Sequence, residues 1–540
     1  MTVEVSPESV DALPGTGDTS ESIAGGRWAA VVSWFDARLN PIFVKEVRQS
    51  FKSGGFQWTF LLLIVGTWLY TIAAAAGEQL RATSLQGYVE YSGTNWFAGY
   101  FVLLSLALLV GLPIQAGRSM AADVSAETFE LLSITALHPW RIVFGKLAVV
   151  VLKISVLFSV VLPCLVVTYM LGGVPLPGVL LALILETVCS LLLCTGAMLV
   201  GSIRQPLVRG TASTILLLLL IWWGGIGFVG FMFEGGGSLF GGLSLEVVLH
   251  WLAVLATLGT AIFLLMIATI KASLTFPTDN RSTAIRAALL LVTCCVVGWQ
   301  TFWVNVVDSG VEFVIVVPWV LTVVVLWGAG SLIIGESPVM SRRVRRELPR
   351  SQLGNLLLGV FYPGPGRGYA FIFSLLAAMI LIWTTTAPLA EFSGNALVVY
   401  RGALLLTELA VLYLGIGLLL LRLFVRAEKR SIWWGLGSQL LLLGVVVTAQ
   451  ITMAMVGSVW SSSRLDAEVF YLSPFGVWDS LVDWIAVPIL GAAAGVVFVL
   501  NLLVGTGAEM LVTRAEKPQR VIEEEKVLHP KEEEPLSPWD

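Results

Sequence analysis

Long apolar runs alternate with short polar loops along this chain, and every second loop holds nearly all of its positive charge. Twelve runs can be drawn: 56–76, 97–116, 147–171, 178–200, 213–233, 247–270, 287–304, 313–334, 370–389, 403–421, 432–456 and 481–504. The shortest are 287–304 and 403–421. A helix needs about 20 apolar residues to cross the hydrocarbon core of a bilayer. With the N-terminus inside, every Lys and Arg except Arg81, Arg401 and Arg464 falls on the cytoplasmic side or at its membrane edge. Short loops rich in Lys and Arg stay inside during insertion. The pattern predicts an all-α integral membrane protein, a polytopic bundle of about twelve transmembrane helices with both termini in the cytoplasm. The runs are continuous rather than alternating every second residue, which excludes a barrel.

Composition supports the same class. Apolar residues make up 57% and charged residues 13% of the chain, against about 25% charged in a soluble domain. Trp58, Trp96, Trp251 and Trp484 stand at run ends, as interfacial anchors do. Pro113, Pro163, Pro318, Pro388 and Pro488 lie within or near run ends. Each removes a backbone donor and reads as a packing bend or a hinge. All five cysteines fall inside apolar runs and read as small core residues, with no metal-ligand spacing to any His.

Residues 1–26, rich in Pro, Gly, Ser, Thr and acids, are expected to form a disordered cytoplasmic tail without the basic and apolar regions of a signal peptide. Residues 505–540, with Glu523–Glu525 and Glu532–Glu534 among lysines, read as a second, charged tail. The basic loop 341–350 is explained by topology and anionic lipid contact, and nothing in the chain points to nucleic acid.

Two polar segments are more specific. Within 27–55, residues 40–53 predict an amphipathic helix on the inner interface. Asn40 suits an N-cap and Pro41 the first helical position. Val44, Val47 and Phe51 form one face, and Lys45, Arg48 and Lys52 another. The second segment, 117–146, joins runs two and three. Asp123 or Ser125 can cap a short helix there, with Glu127 and Glu130 near its positive end. His138-Pro139 interrupts it. Such a helix, carrying Phe129, Leu131, Leu132 and Ile134, must cover its apolar face with helix ends, lipid or a partner. An ordinary interfacial loop helix is the plainer reading.

These two segments resemble the permease subunits of ABC type-2 transporters. Asn40, Pro41, Lys45 and Glu46 match the Asn-Pro…Lys/Arg-Glu run of that family's interfacial helix. Thr128, Glu130, Leu131, Leu132, Pro139, Ile142, Val143, Gly145 and Lys146 match the stretch between its second and third spans. Glu127 stands where Gly is usual, and Phe129 where Leu is usual. The resemblance covers 40–270 and implies a six-helix unit over 56–270 with a coupling segment at 117–146. Residues 271–504 would be a second six-helix unit or an appended bundle. It further implies that Glu127, Thr128, Phe129, Glu130, Leu131 and Leu132 contact a separate ABC ATPase subunit. That subunit would carry the ATP, with no cofactor in this chain and a plasma (inner) membrane setting. A homodimer or a second permease chain could complete the assembly.

The chain has no Gly-x-x-x-x-Gly-Lys-Ser/Thr run, so no phosphate-binding loop of its own is recognisable. Two other readings stay open. An ion-coupled carrier needs protonatable groups inside the bilayer. Glu186, near the middle of run four, is the candidate pathway residue, with Glu408 and Lys153 nearer the ends of theirs. Glu186 could equally hold helices together through a polar neighbour. A membrane enzyme would want converging acids, His or a nucleophile. The best acid pair, Asp479 and Asp483, reads first as solvated run-end residues.

Overall fold

A computed structural model describes residues 41–505, apart from 85–91, 125–138, 173–175, 234–244, 277–278, 307–310, 387–394, 427–429 and 460–488 and a few positions between 339 and 357. Both tails, Asn40, the residues Glu127–Leu132, and Asp479 and Asp483 therefore lie outside the described residues. Among those described there are helices and turns and no strand. Nine helices are long and apolar enough to cross a membrane, and three shorter apolar ones lie at Pro206–Leu220, Ile432–Thr448 and Ile489–Gly505. The chain is a multi-pass membrane protein by this measure. It divides into two compact units, Met1–Gly242 and Leu243–Asp540.

The first unit contains α1 (Pro41–Lys52), α2 (Gly54–Ser84), α3 (Ser92–Ser105), a π turn (Leu106–Gly111), α4 (Leu112–Val124), α5 (Pro139–Leu171), α6 (Leu176–Gly201) and α7 (Pro206–Phe233). α1 is amphipathic as its spacing predicts: Lys45, Arg48 and Lys52 are exposed, while Val44, Val47 and Phe51 are half-buried. Two boundaries differ from the sequence reading. The second apolar run does not stop at 116, because α4 carries the helix on to Val124. The third helix begins at Pro139, whose missing N–H costs nothing in a first turn. Only 125–138 of the expected coupling segment thus separates the two helices. Asp123, taken as a possible cap, sits in the last turn of α4 instead.

α4 and α6 cross closely. A Cβ on Gly117 would stand 3.0 Å from the carbonyl oxygen of Ala197, and one on Gly201 would collide with the carbonyl of Gly117. Lipid tails are as apolar as Leu, so membrane helices gain by close packing of small residues. At the π turn the N–H of Leu112 donates to Ala107. Pro113, which cannot donate, follows directly, and Ser190 Oγ of α6 donates to the carbonyl of Leu108 at 2.9 Å. The Pro removes a rung and a neighbouring hydroxyl takes up a carbonyl, which is how a wide turn survives in an apolar setting. α2 buries only 11% of its apolar window, and Trp58, Leu62, Trp68 and Leu69 are exposed. It is the least buried of the unit's candidate spans among the described residues.

The second unit contains α8 (Leu245–Leu274), α9 (Ser282–Val306), α10 (Val311–Ile334), the short α11 (Arg342–Glu347), a 3-10 turn (Gly359–Phe361), α12 (Pro365–Thr386), α13 (Asn395–Phe424), α14 (Ile432–Val459) and α15 (Ile489–Gly505). α8, grouped with the first six runs from sequence, packs on α9 here. α13 is the axis of the unit: 78% of its apolar window is buried, and Leu405, Leu409, Ala410, Leu414 and Leu418 are fully covered. A helix apolar all round belongs inside a bundle. α10, α12 and α14 surround it. Polar side chains link these helices. Trp319 Nε1 donates to Thr407 Oγ1 at 3.0 Å, Trp327 Nε1 to Gln439 Oε1 at 3.0 Å, and Gln439 Nε2 to the carbonyl of Tyr413 at 3.1 Å.

Candidate functional site

The first unit gathers its ionisable side chains at one end, where α1, α4 and α5 meet. α5 places Lys146 two turns from its start, and Lys146 is 4% exposed. Its Nζ lies 2.9 Å from Glu46 Oε1 on α1 and 2.7 Å from Asp123 Oδ2 on α4. It also donates to Ser119 Oγ at 2.7 Å, and that hydroxyl donates to Glu46 Oε2 at 3.3 Å. Two turns further along α5, Lys153 Nζ donates to Gln115 Oε1 at 3.1 Å and lies 5.3 Å from the centre of the Phe56 ring. Gln115 Nε2 passes the chain on to Thr59 Oγ1 at 2.9 Å. Two ammoniums face two carboxylates, so the cluster is neutral as a whole. Its members enclose a water-sized cavity of about 20 Å³. A buried ion pair stands only when hydrogen bonds satisfy its remaining polar atoms, and Ser119 does this for both partners.

The mechanical meaning lies in connectivity. Asp123 is the residue before the last of α4, and Lys146 is in the third helix, on opposite sides of 125–138. Glu46 belongs to α1, a hundred residues from Lys146. The cluster therefore ties the end of α4 and the start of α5 to α1. The structure brings together Glu46 and Lys146, which the resemblance places in separate motifs. Lys45 points away, exposed, and Pro41 opens α1. Sequence reasoning did not pair these residues. The one usable signal was a lysine, Lys146, at the start of an apolar helix.

Glu186 is 4% exposed on α6, beside the π turn. Its carboxyl group is buried, and among the described residues the Ser105 hydroxyl is the polar group facing it. Glu186→Gln gives up no ion pair, so its melting temperature should stay within about 2 °C of the parent protein. A larger fall in a thermal scan would reveal a partner that the acid form holds.

The second unit has its own charged cluster. Arg286 on α9 is fully buried, with Nη2 2.8 Å from Glu336 Oε2 just after α10. Its Nη1 donates to the carbonyls of Val360 at 2.6 Å and Tyr362 at 2.5 Å. Glu336 also accepts from the N–H of Gly364 at 2.9 Å and from the Ser282 hydroxyl. One guanidinium thus pins the loop before α12 to the ends of α9 and α10. In the sequence Arg286 stands one residue before run seven, at the membrane edge. The helix starts at Ser282 and carries it inside.

Among the described residues no group of three His, Cys, Asp or Glu side chains could hold a metal ion. The clusters fix helix ends against one another. No protein-family model, no curated protein and no solved structure matches this chain.

Proposed function

We propose that the chain is the permease-type membrane subunit of an ATP-driven exporter of the ABC type-2 kind, set in a plasma (inner) membrane with both ends in the cytoplasm and twelve spans. A separate ATPase chain supplies the ATP. The observation that carries this reading is the Lys146 cluster. A machine of this kind needs a push on one cytoplasmic segment to move several helices as a body. Residues 125–138 leave α4 beside Asp123 and enter α5 ahead of Lys146, and both are bound to Glu46 of α1 or to each other. Force on that segment reaches three helices at once. Switching between inward- and outward-facing states then follows from differential binding in each state. Glu127, Thr128, Phe129, Glu130, Leu131 and Leu132 are the contacts to the ATPase.

The test is a mild-detergent pull-down from the native host, compared with a chain carrying Leu131→Glu and Leu132→Glu. Burying two new carboxylates in an apolar contact is expected to abolish recovery of the ATPase. Recovery of an ATPase from neither sample, with both proteins intact and monodisperse, sinks the reading. One observation favours a second reading, an ion-coupled carrier: the carboxyl group of Glu186 is buried within a span with no ion pair among the described residues. In that case Glu186→Gln abolishes a proton-driven flux.

A further inference from the structure

α4, α6 and α7 enclose a cavity of about 470 Å³ that the Lys146 cluster does not share. Its lining changes character along its length. At one end stand Arg118, midway along α4, and Arg209, in the first turn of α7. Farther in, the wall is Ile114 of α4 and Leu216, Leu217 and Leu220 of α7. From Arg209 to Leu220 a helix rises roughly 16 Å, about the depth of one leaflet of a hydrocarbon core near 30 Å thick. No acidic residue lines the cavity, and neither arginine has an ion-pair partner among the described residues. The Gly117–Gly201 crossing brings α4 and α6 close together on one side of it.

We infer that this cavity is a binding site for an anionic glycerophospholipid of the leaflet on the basic side of the membrane. Two guanidiniums at the mouth suit a phosphodiester, which they can grip with paired N–H donors. The apolar wall suits one acyl chain of the same leaflet. Basic pockets between membrane helices on the cytoplasmic side recognise lipid headgroups by the same chemistry. A free phosphate would use the mouth and leave the apolar length unused. A zwitterionic lipid would bring a cation against the two arginines. The inference goes beyond the permease reading and does not depend on it.

The test uses the full chain, purified in a maltoside detergent and stripped of lipid. It is titrated with phosphatidylglycerol, phosphatidylcholine or inorganic phosphate, and bound lipid is counted by native mass spectrometry. Phosphatidylglycerol should saturate a site that Arg118→Gln/Arg209→Gln weakens by at least about tenfold, as loss of two basic headgroup contacts requires. Arg118→Lys/Arg209→Lys should recover only part of that binding, since two ammoniums keep the charge but lose the paired donors. A Cβ on Gly210 meets nothing within 4 Å, so Gly210→Trp can fill the cavity while leaving both arginines in place. It should weaken binding as strongly without lowering the melting temperature. Unchanged binding in both the Gln/Gln and the Trp variants overturns the inference. So does phosphatidylcholine binding as tightly at this site, or inorganic phosphate displacing the lipid.

Discussion

Arg286→Met should lower the stability of the second unit by about 3 kcal/mol, the lower end of what removing one partner of a buried pair costs. The lower end applies because the Glu336 side chain keeps 18% of its exposure. The substitution strands more than a carboxylate. The carbonyls of Val360 and Tyr362 lose their donor in the same stroke. In a unit of this size the loss corresponds to a melting temperature roughly 6–12 °C lower. Arg286→Lys should recover only part of the loss, since one ammonium cannot reach Glu336 and two carbonyls with the same planar fork. Arg286→Met/Glu336→Gln should cost less than the two single changes summed, because the second removes the charge that the first strands. A single variant melting within about 1 °C of the parent protein would remove Arg286 from its place as the pin of this unit.

Lys146→Ala should have an effect of similar size in the first unit, and a more local one. It takes from Glu46 and Asp123, at 7% and 24% side-chain exposure, the ammonium that both of them face. Two like charges in a shared low-dielectric site repel, and removing one partner costs about 3–5 kcal/mol. α1 has little else to hold it, because its remaining contacts are half-buried apolar side chains. Its amides, residues 42–52, should therefore lose hydrogen-exchange protection before those of α5 or α6 do. Neutralising the whole cluster with Lys146→Met, Glu46→Gln and Asp123→Asn should restore most of that protection, since a neutral replacement of a buried ionic set is often tolerated. Protection of α1 unchanged in Lys146→Ala would mean that the ion pairs do not hold the helix.

How much of this could be read in advance depended on the range of the interaction. α1 was legible because its two faces repeat within one turn of helix, so Val44, Val47 and Phe51 separate from Lys45, Arg48 and Lys52 by spacing alone. Glu46 was not, because nothing near it in sequence distinguishes a carboxylate facing water from one facing Lys146. The burial of Arg286 was not legible for a similar reason. An apolar window starts where the charge stops, whereas a helix can start a turn earlier and bury the charge against a loop 74 residues or more away. The run 403–421 was among the shortest, yet it forms the most enclosed helix of the second unit, extending from Asn395 to Phe424. Arg401, Glu408 and Thr407 lower its hydropathy, and a helix surrounded by protein can carry them. The cavity beside α7 needs three helices to exist, and only Arg118 and Arg209 gave a hint of it.

The π turn at Leu106–Gly111 sets a clock angle for everything on either side of it. One surplus residue in a helix advances all that follows by about 100°. The aromatic face of α3, where Tyr100 meets Tyr70, and the glycine face of α4, where Gly117 meets Ala197, are therefore aligned only because of that surplus. Point changes along this stretch alter one contact at a time. Losing a single residue from it would turn the two faces out of phase. The length of the chain between Tyr100 and Gly117 is thus as much a part of the design as the side chains it carries.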